Sequence, residues 1–338
     1  MNLLASKKVV VTDFTFPDVA REGAAALRNG ATFEIHACKT AREAADAVDG
    51  ADVAVVQFVN FDAAAIARLR PGATILRYGI GFDNIDVTAA DARGIRVGYV
   101  PDYCVDEVAD HTATAILTLR QKLFAQDRAV REGRWLAVEI ARPIQGGPDT
   151  TIGFLGLGRI GGAVLGRLRP FGFRFAVADP ALDDAHATEL GVVRVEVDRL
   201  FEIADVLTLH APATPSTVDI VGAANLARMK PTAFIVNTAR GALVDEAALA
   251  HALREGRIAG AALDVFRTEP LAADSDLRRA PNLILTPHAA WYSDSAIVRL
   301  QALIAADIER ALRGEAPRCP VPGSRPARAT VTSGALTG

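Results

Sequence analysis

The sequence predicts an α/β protein built from two doubly wound parallel-sheet units. Three observations carry this. Residues 151–155 form a short, largely apolar strand that runs into Gly156-x-Gly158-x-x-Gly161, and then into an amphipathic helical pattern of Ile160, Val164, Leu165 and Leu168. Short apolar runs alternate with helical patterns on both sides of that stretch, which implies parallel sheets with helices on both faces. The chain has 338 residues, half of them hydrophobic and 23% charged, enough for two globular cores.

In the first half, residues 9–12 are a buried-strand run, followed by a helical pattern over 19–27 that stops at Asn29-Gly30. Residues 32–37 read as a second strand, and Thr40-Ala-Arg-Glu43 is a capping box that opens a helix to about residue 48. Strands are predicted over 53–56, 74–78 and 96–100, with Asp62 capping the helix between the first two of these. No glycine fingerprint follows the first strand, so this half is not an obvious nucleotide binder. The pattern then changes: residues 105–131 read as one long helix with Val108, Ala109, Thr112, Ala115, Ile116, Leu119 and Leu123 on its apolar face. Residues 133–150 read as irregular. After the glycine stretch come strands over 174–178, 206–210, 233–238, 260–265 and 283–286, and a final helix capped by Asp294 that ends near residue 312. From Gly314 onward, Pro, Arg, Ser and Thr suggest a loose tail over 314–338. The domain reading is therefore residues 1–102 with 290–313 as a substrate-binding unit and 103–289 as an inserted nucleotide-binding unit, with the cleft between them as the default ligand site.

Composition limits the function classes. A net charge of −3 and a pI near 6.1 provide no basic field for nucleic acid or anionic membrane. No run of eighteen apolar residues suggests a membrane span, and the N-terminus has no signal-peptide pattern. Cys38, Cys104 and Cys319 are odd in number and widely separated, which points to a reducing cytoplasm and to neither a disulfide framework nor a metal site. No metal is expected.

The glycine stretch is a dinucleotide clamp. Gly156 permits a tight strand-to-helix turn, Gly158 lets a pyrophosphate approach the backbone, and Gly161 lets helix pack on strand. Leu155, Arg159 and Ile160 border the same turn, and the helix N-terminus supplies free amides to the phosphates. The next strand ends in Asp179, 18 residues beyond Gly161, where a ribose-binding carboxylate belongs. That acid would repel a 2′-phosphate, and Pro180-Ala181-Leu182 supplies no arginine to welcome one, so NAD is the predicted cofactor.

Ligands gather beyond the carboxyl ends of parallel strands. His210 leads into the polar loop Ala211-Pro212-Ala213-Thr214-Pro215-Ser216-Thr217, suited to the diphosphate or ribose. Three further strand ends lead to Arg240, Glu269 and His288. An arginine can clamp a substrate carboxylate bidentately. A histidine can give a proton as hydride reaches a carbonyl carbon, and a carboxylate on its other nitrogen orients it and favours the imidazolium. Singly, each has an ordinary alternative: a loop ion pair, a turn cap, a solvated histidine. Together, behind a dinucleotide fingerprint, they favour function.

The blocks Gly156-Leu-Gly-Arg-Ile-Gly161, Val236-Asn-Thr-Ala-Arg-Gly241, Gly260-Ala-Ala-Leu-Asp-Val265 and Thr286-Pro-His-Ala-Ala290 resemble those of the D-isomer-specific 2-hydroxyacid dehydrogenases. The likeness extends to Tyr78-Gly-Ile-Gly-Phe-Asp-Asn-Ile-Asp86, and leans towards the C-terminal binding protein (CtBP) branch through Gly81-Phe-Asp-Asn-Ile-Asp86 and His288-Ala-Ala-Trp-Tyr-Ser293. It implies a Rossmann-type NAD domain inserted in a flavodoxin-like substrate domain. It also implies that Arg240 binds substrate, that Glu269 partners His288, and that His288 is the acid–base. Asp264 would face the nicotinamide carboxamide, with Thr238, Ala239 and Ala290 lining the cofactor. The loop Gly79-Ile80-Gly81, next to Tyr78, would offer amides to the substrate carboxylate, with Ile80 near the nicotinamide. Arg77 is either a pocket cation or a surface arginine, Thr112 a cofactor contact or a core threonine, and Trp291 a pocket aromatic or a packing residue. Residues 57–60, starting at Gln57, would shape the side-chain pocket.

The expected activity is NAD-dependent interconversion of a 2-oxoacid and a D-2-hydroxyacid by a homodimer joined through the nucleotide unit. Alternative substrates are 3-phosphoglycerate and hydroxypyruvate or glyoxylate. Glu269 argues against the formate-oxidising relatives, which carry glutamine there. The competing reading is an NADH-sensing interaction protein like the CtBP corepressors, separated from an enzyme by turnover on a panel of 2-oxoacids.

Overall fold

A computed structural model describes residues 6–322. The chain divides into two compact units, Met1–Tyr103 with Ser293–Gly338, and Cys104–Tyr292.

The first unit begins with β1 (Lys8–Val11), α1 (Ala20–Arg28), β2 (Thr32–Ile35), α2 (Ala41–Ala47) and β3 (Val53–Val56). It continues with α3 (Ala63–Arg68), β4 (Thr74–Arg77), α4 (Val87–Ala92) and β5 (Arg96–Gly98). All five strands are parallel, in the order β2-β1-β3-β4-β5, the flavodoxin-like arrangement. A central strand covered on both faces needs a continuous apolar run, and Val53-Ala-Val-Val56 is buried at every position. The Thr40–Glu43 capping box forms, and Asp62 accepts from two amides at the start of α3.

The second unit opens with α5 (Val105–Arg120), α6 (Leu123–Arg131), α7 (Ala137–Ala141), β6 (Thr151–Leu155), α8 (Arg159–Leu168) and β7 (Arg174–Ala178). There follow α9 (Asp184–Glu189), β8 (Val193–Arg194), α10 (Val197–Ile203), β9 (Val206–Leu209), α11 (Ala223–Leu226) and β10 (Phe234–Asn237). It ends with α12 (Glu246–Arg254), β11 (Gly260–Leu263) and β12 (Leu283–Leu285). The parallel sheet has the order β12-β11-β10-β9-β6-β7-β8, a Rossmann sheet with an added edge strand. One face packs Leu200, Phe201, Leu249 and Leu253; the other packs Ile116 of α5 with Val164 and Leu168 of α8. The strand order reverses between β6 and β9. The crevice beyond their carboxyl ends is where such sheets bind ligands.

The chain then returns to the first unit through α13 (Asp294–Leu312), where Gln301 donates to the Asp18 carbonyl and Arg28 pairs with Glu309.

Four sequence expectations differ from the structure. The long helix over 105–131 is two helices, broken at Lys122, which takes a left-handed φ of 51°. No glycine or proline marks that break. It is accompanied by tertiary contacts: the Lys122 ammonium donates to the Arg142 carbonyl, and Arg120 donates to that of Gln145. The segment expected to be irregular contains α7. Ser293, not Asp294, caps α13 with its hydroxyl. The tail expected from Gly314 runs along the open edge of β5 instead. The Tyr99 amide donates to the Cys319 carbonyl, the Val321 amide to that of Val97, and Arg318 forks onto Asp102. An unpaired strand edge gains by being covered. The rest of that expected tail, residues 323–338, lies outside the described residues.

Candidate active site

The glycine turn leaves no room for side chains where the backbone folds on itself. Gly156 has φ +87°, and a Cβ there would stand 3.0 Å from the Ala211 nitrogen and the His210 carbonyl carbon. A Cβ on Gly161 would stand 3.0 Å from the Gly156 oxygen, whereas nothing lies within 4 Å of one on Gly158. The turn is thus closed from below and open at Gly158, as a pyrophosphate requires. No side chain caps α8, so its first amides and dipole remain available to an anion. At the end of β7, Asp179 accepts from the Leu157 amide at 2.7 Å and from that of Ala181 at 2.8 Å. Its half-buried carboxylate therefore sits against the glycine turn, where a ribose diol would meet it. These residues fit NAD.

Other cofactor expectations become more limited. The His210 imidazole is half-buried, stacks on Phe154 at 5.7 Å and lies 3.0 Å from the Thr208 hydroxyl. Burial pushes its pKa down to about 3, so the ring is neutral. His210 thus backs the glycine turn beside Gly161, with its ring engaged by Phe154 and Thr208. Leu155 is likewise buried under the turn. Thr112 is 0% exposed; it donates to the Val108 carbonyl and receives the Thr238 hydroxyl at 2.8 Å. It is a core threonine that ties α5 to the end of β10. The Thr217 hydroxyl is spent on the Pro212 carbonyl and the Thr214 amide, which stiffens the 211–217 loop.

Three strand ends build the reactive corner. Beyond β10, the buried Asn237 donates to the Arg240 carbonyl and accepts from the Ala239 amide, fixing the turn that presents Arg240. A Cβ on Gly241 would collide with Phe266, 1.9 Å from its carbonyl carbon, so the Arg240 turn lies directly on the segment beyond β11. On that segment Glu269 accepts from the Phe266 amide through Oε1 and lies 2.7 Å from His288 Nδ1 through Oε2. Burial pulls the Glu269 carboxyl upward. The hydrogen bond and charge of His288, the Phe266 amide and the Arg240 guanidinium outweigh it, holding the group below the usual glutamate range. His288 follows β12 and takes a left-handed φ of 52°, which is uncommon outside glycine. Its Nε2 is left on the side away from Glu269. Ala290 is buried, and Trp291 packs edge-on against Tyr292 at 5.9 Å.

In the first unit, Asp13 at the end of β1 accepts from the amides of Gln57, Phe58 and Val59. Asn84 donates to the carbonyls of Gln57 and Val59 from the other side. The 57–60 loop is therefore clamped at both flanks. Gln57 is 2% exposed and donates to Thr15; Tyr78 is 1% exposed and donates to the buried Glu22. Both side chains belong to the interior of the unit, which corrects their reading as substrate-facing groups. Arg77 donates to the Tyr78 carbonyl and stands over the Phe58 ring at 5.9 Å. Ile80 and Gly81 lie in the loop that follows, half-buried.

Two functional candidates escape sequence reading. His111 and Thr286 lie on different elements, and their 3.3 Å contact is visible only in the fold. Among the described residues no group of three or more His, Cys, Asp or Glu side chains could hold a metal, and no helix is long and apolar enough to cross a membrane.

A dinucleotide cradle on a Rossmann sheet, with an arginine and a carboxylate–imidazole pair at neighbouring strand ends, defines a nicotinamide-dependent oxidoreductase. Residues 113–290 match the family described as D-isomer specific 2-hydroxyacid dehydrogenase, NAD binding domain. The chain is 38% identical over 259 residues to a glyoxylate reductase of Korarchaeum cryptofilum (strain OPF8), covering 76% of each protein. It is 37% identical over 257 residues to a D-3-phosphoglycerate dehydrogenase of Synechocystis sp. (strain ATCC 27184 / PCC 6803 / Kazusa), covering 74% of this chain and 45% of that protein. The solved D-lactate dehydrogenase of Aquifex aeolicus, complexed with NAD and lactic acid, superposes with a TM-score of 0.81 at 27% identity, covering 91% of this chain and 96% of that one. The chain belongs to the D-isomer specific 2-hydroxyacid dehydrogenase family and is an NAD-dependent enzyme of that family. These relatives do not place it in the CtBP branch.

Proposed function

We propose that the protein reduces a small 2-oxoacid to the D-2-hydroxyacid, and catalyses the reverse oxidation, with Arg240, Glu269 and His288 as its chemical groups. NAD, when bound, supplies or accepts the hydride at the substrate carbon. Arg240 holds the substrate carboxylate by a planar two-point contact, which lysine cannot copy. His288 donates a proton from Nε2 to the carbonyl oxygen as it becomes a hydroxyl, and removes it in the other direction. Glu269 holds Nδ1, so that the proton to be transferred stands on Nε2, and it balances the imidazolium. Amides of Gly79-Ile80-Gly81 complete carboxylate binding, and Asp179 takes the adenosine ribose. The observation that carries this reading is the 2.7 Å contact between His288 Nδ1 and Glu269 Oε2, with Arg240 close enough to lower the Glu269 pKa.

The substrate class is one of short 2-oxoacids such as glyoxylate and hydroxypyruvate, supported by the glyoxylate reductase relative. Phosphorylated analogues are the competing class, for which Arg77 is the candidate cation. We further propose a homodimer joined through α6, α7 and the segment between them, where Leu123, Phe124, Trp135 and Val138 are each more than half exposed. Cys38 and Cys319, which stand in no disulfide among the described residues, support a reducing, cytoplasmic setting. The test is NADH and NADPH oxidation with glyoxylate, hydroxypyruvate, pyruvate and 3-phosphohydroxypyruvate. Turnover of one or more with NADH is expected. Tight NADH binding without turnover of any would overturn the enzyme assignment and favour a cofactor sensor.

A further inference from the structure

The turn that carries His288 is held by one buried carboxylate. Asp264, at the end of β11 and 2% exposed, accepts from the Ala289 amide on Oδ1 and from the Ala290 amide on Oδ2, both at 2.9 Å. Its backbone carbonyl accepts from the His288 amide at 2.8 Å. The Thr286 hydroxyl lies 2.5 Å from the same Oδ1. Asp264 thus meets donors from both sides of a residue whose backbone φ is +52°. A histidine in the left-handed region persists only where its surroundings over-determine it. The sequence reading gave Asp264 to the nicotinamide carboxamide; in the fold its carboxylate is engaged with the His288 turn.

The relay continues one residue further. A hydroxyl has a single proton, and that of Thr286 goes to Asp264. The ring of His111 on α5 has its Nε2 3.3 Å from the Thr286 oxygen, so Nε2–H must be the donor and the hydroxyl oxygen the acceptor. The direction is therefore fixed from His111 to Thr286 to Asp264, and His111 carries its proton on Nε2. The next residue along α5, Thr112, makes the companion tie to Thr238 beyond β10, two residues before Arg240. Adjacent residues of one helix thereby pin the two strand ends that present Arg240 and His288.

We propose that His111, acting through Thr286 and Asp264, is a positioning residue that sets the His288 imidazole for proton transfer. This rests on His288 being the acid–base group. None of the three needs to touch substrate for the effect, because a small displacement of a proton donor is costly to turnover.

Thr286→Val keeps shape and removes the relay, while Thr286→Ser keeps it. Thr286→Val should lower kcat about tenfold or more with the KM for NADH nearly unchanged, and Thr286→Ser should restore most of it. In a His288→Ala background Thr286→Val should add nothing, since it acts through His288. Unchanged kcat in Thr286→Val, or an equal further loss in the His288→Ala background, would overturn the proposal. A second readout does not depend on turnover. Two-bond 15N–1H spectra of the histidine-labelled protein, assigned with His111→Gln and His288→Ala, should show His111 as the Nε2–H form. The His288 ring signals should move in Thr286→Val but not in Thr286→Ser. If wild type reduces no 2-oxoacid, the dehydrogenase assignment of the previous section fails while these spectra still decide the relay. Unmoved His288 signals, or His111 protonated only on Nδ1, would sink it.

Discussion

The Nδ1 atom of His288 lies 2.7 Å from Oε2 of Glu269, and Glu269 anchors its other oxygen on the Phe266 amide. The carboxylate cannot swing away without leaving that amide unpaired, so the imidazole is held in one orientation and one tautomer. Glutamine at 269 would keep the anchor but not the charge. Glu269→Gln should therefore lower kcat by about tenfold to a hundredfold with little change in the KM for NADH. Steady-state kinetics check this; a variant as active as wild type would contradict the pairing.

The same pair has a stability signature. The Glu269 carboxyl is held below its ordinary value of 4.5, by His288, the Phe266 amide and Arg240 acting against burial. A depressed carboxylate contributes stability that is present above the unfolded pKa and is lost as pH falls through the folded one. The melting temperature of wild type should exceed that of Glu269→Gln at neutral pH, and the gap should close below about pH 4.5 as the carboxylate protonates. A gap that widens on acidification would show that the sign is wrong.

Arg240 is judged by its geometry as well as its charge. Lysine retains the cation and loses the planar fork, so Arg240→Lys should raise the KM for the 2-oxoacid and lower kcat/KM by about a hundredfold. Near-normal kcat/KM in that variant would mean that Arg240 does not clamp the carboxylate.

Desolvation lowers the His210 pKa to about 3, against 6.5 in the unfolded chain. Between these values the unfolded chain binds a proton that the fold does not, so stability falls as pH drops through that window, by at most about 1.4 kcal/mol per pH unit. His210→Phe, which keeps the stack on Phe154, should flatten the fall between pH 6.5 and 4.5 in denaturant titrations. An equal slope in both proteins would mean that the ring is not held neutral.

Asp179 sits at the glycine turn and no cation follows it. Asp179→Ser removes the charge that repels a 2′-phosphate, and kcat/KM with NADPH should rise about tenfold or more while that with NADH falls. A variant that still discriminates like wild type would place cofactor choice elsewhere.

Much of this was legible in the chain. Buried parallel strands must be continuous apolar runs, so Val53-Ala-Val-Val56 and Thr151-Ile-Gly-Phe-Leu155 announce themselves. Turns that admit only glycine announce the cradle at Gly156 and Gly161. Strand ends draw attention to Arg240, Glu269 and His288 because the sheet exposes them. What escaped depends on contacts between distant elements. The break at Lys122 has no local signal, because tertiary bonds to residues 142 and 145 accompany it. The same holds for the strap along β5, whose polar composition suggested a loose end. Tyr78 and Gln57 adjoin the presumed pocket in sequence, yet Glu22 and Thr15 take up their side chains. His111 is one polar residue in a helical pattern until the fold sets it against Thr286.

The central claim, that His288 moves the proton, is tested most directly by measuring turnover and cofactor affinity together in His288→Ala. With the best 2-oxoacid of the panel, kcat should fall by about 10² to 10⁴, while the Kd for NADH read by fluorescence stays within about twofold of wild type. A kcat within tenfold of wild type at saturating substrate and cofactor, or a loss accounted for by weakened NADH binding, would contradict the account.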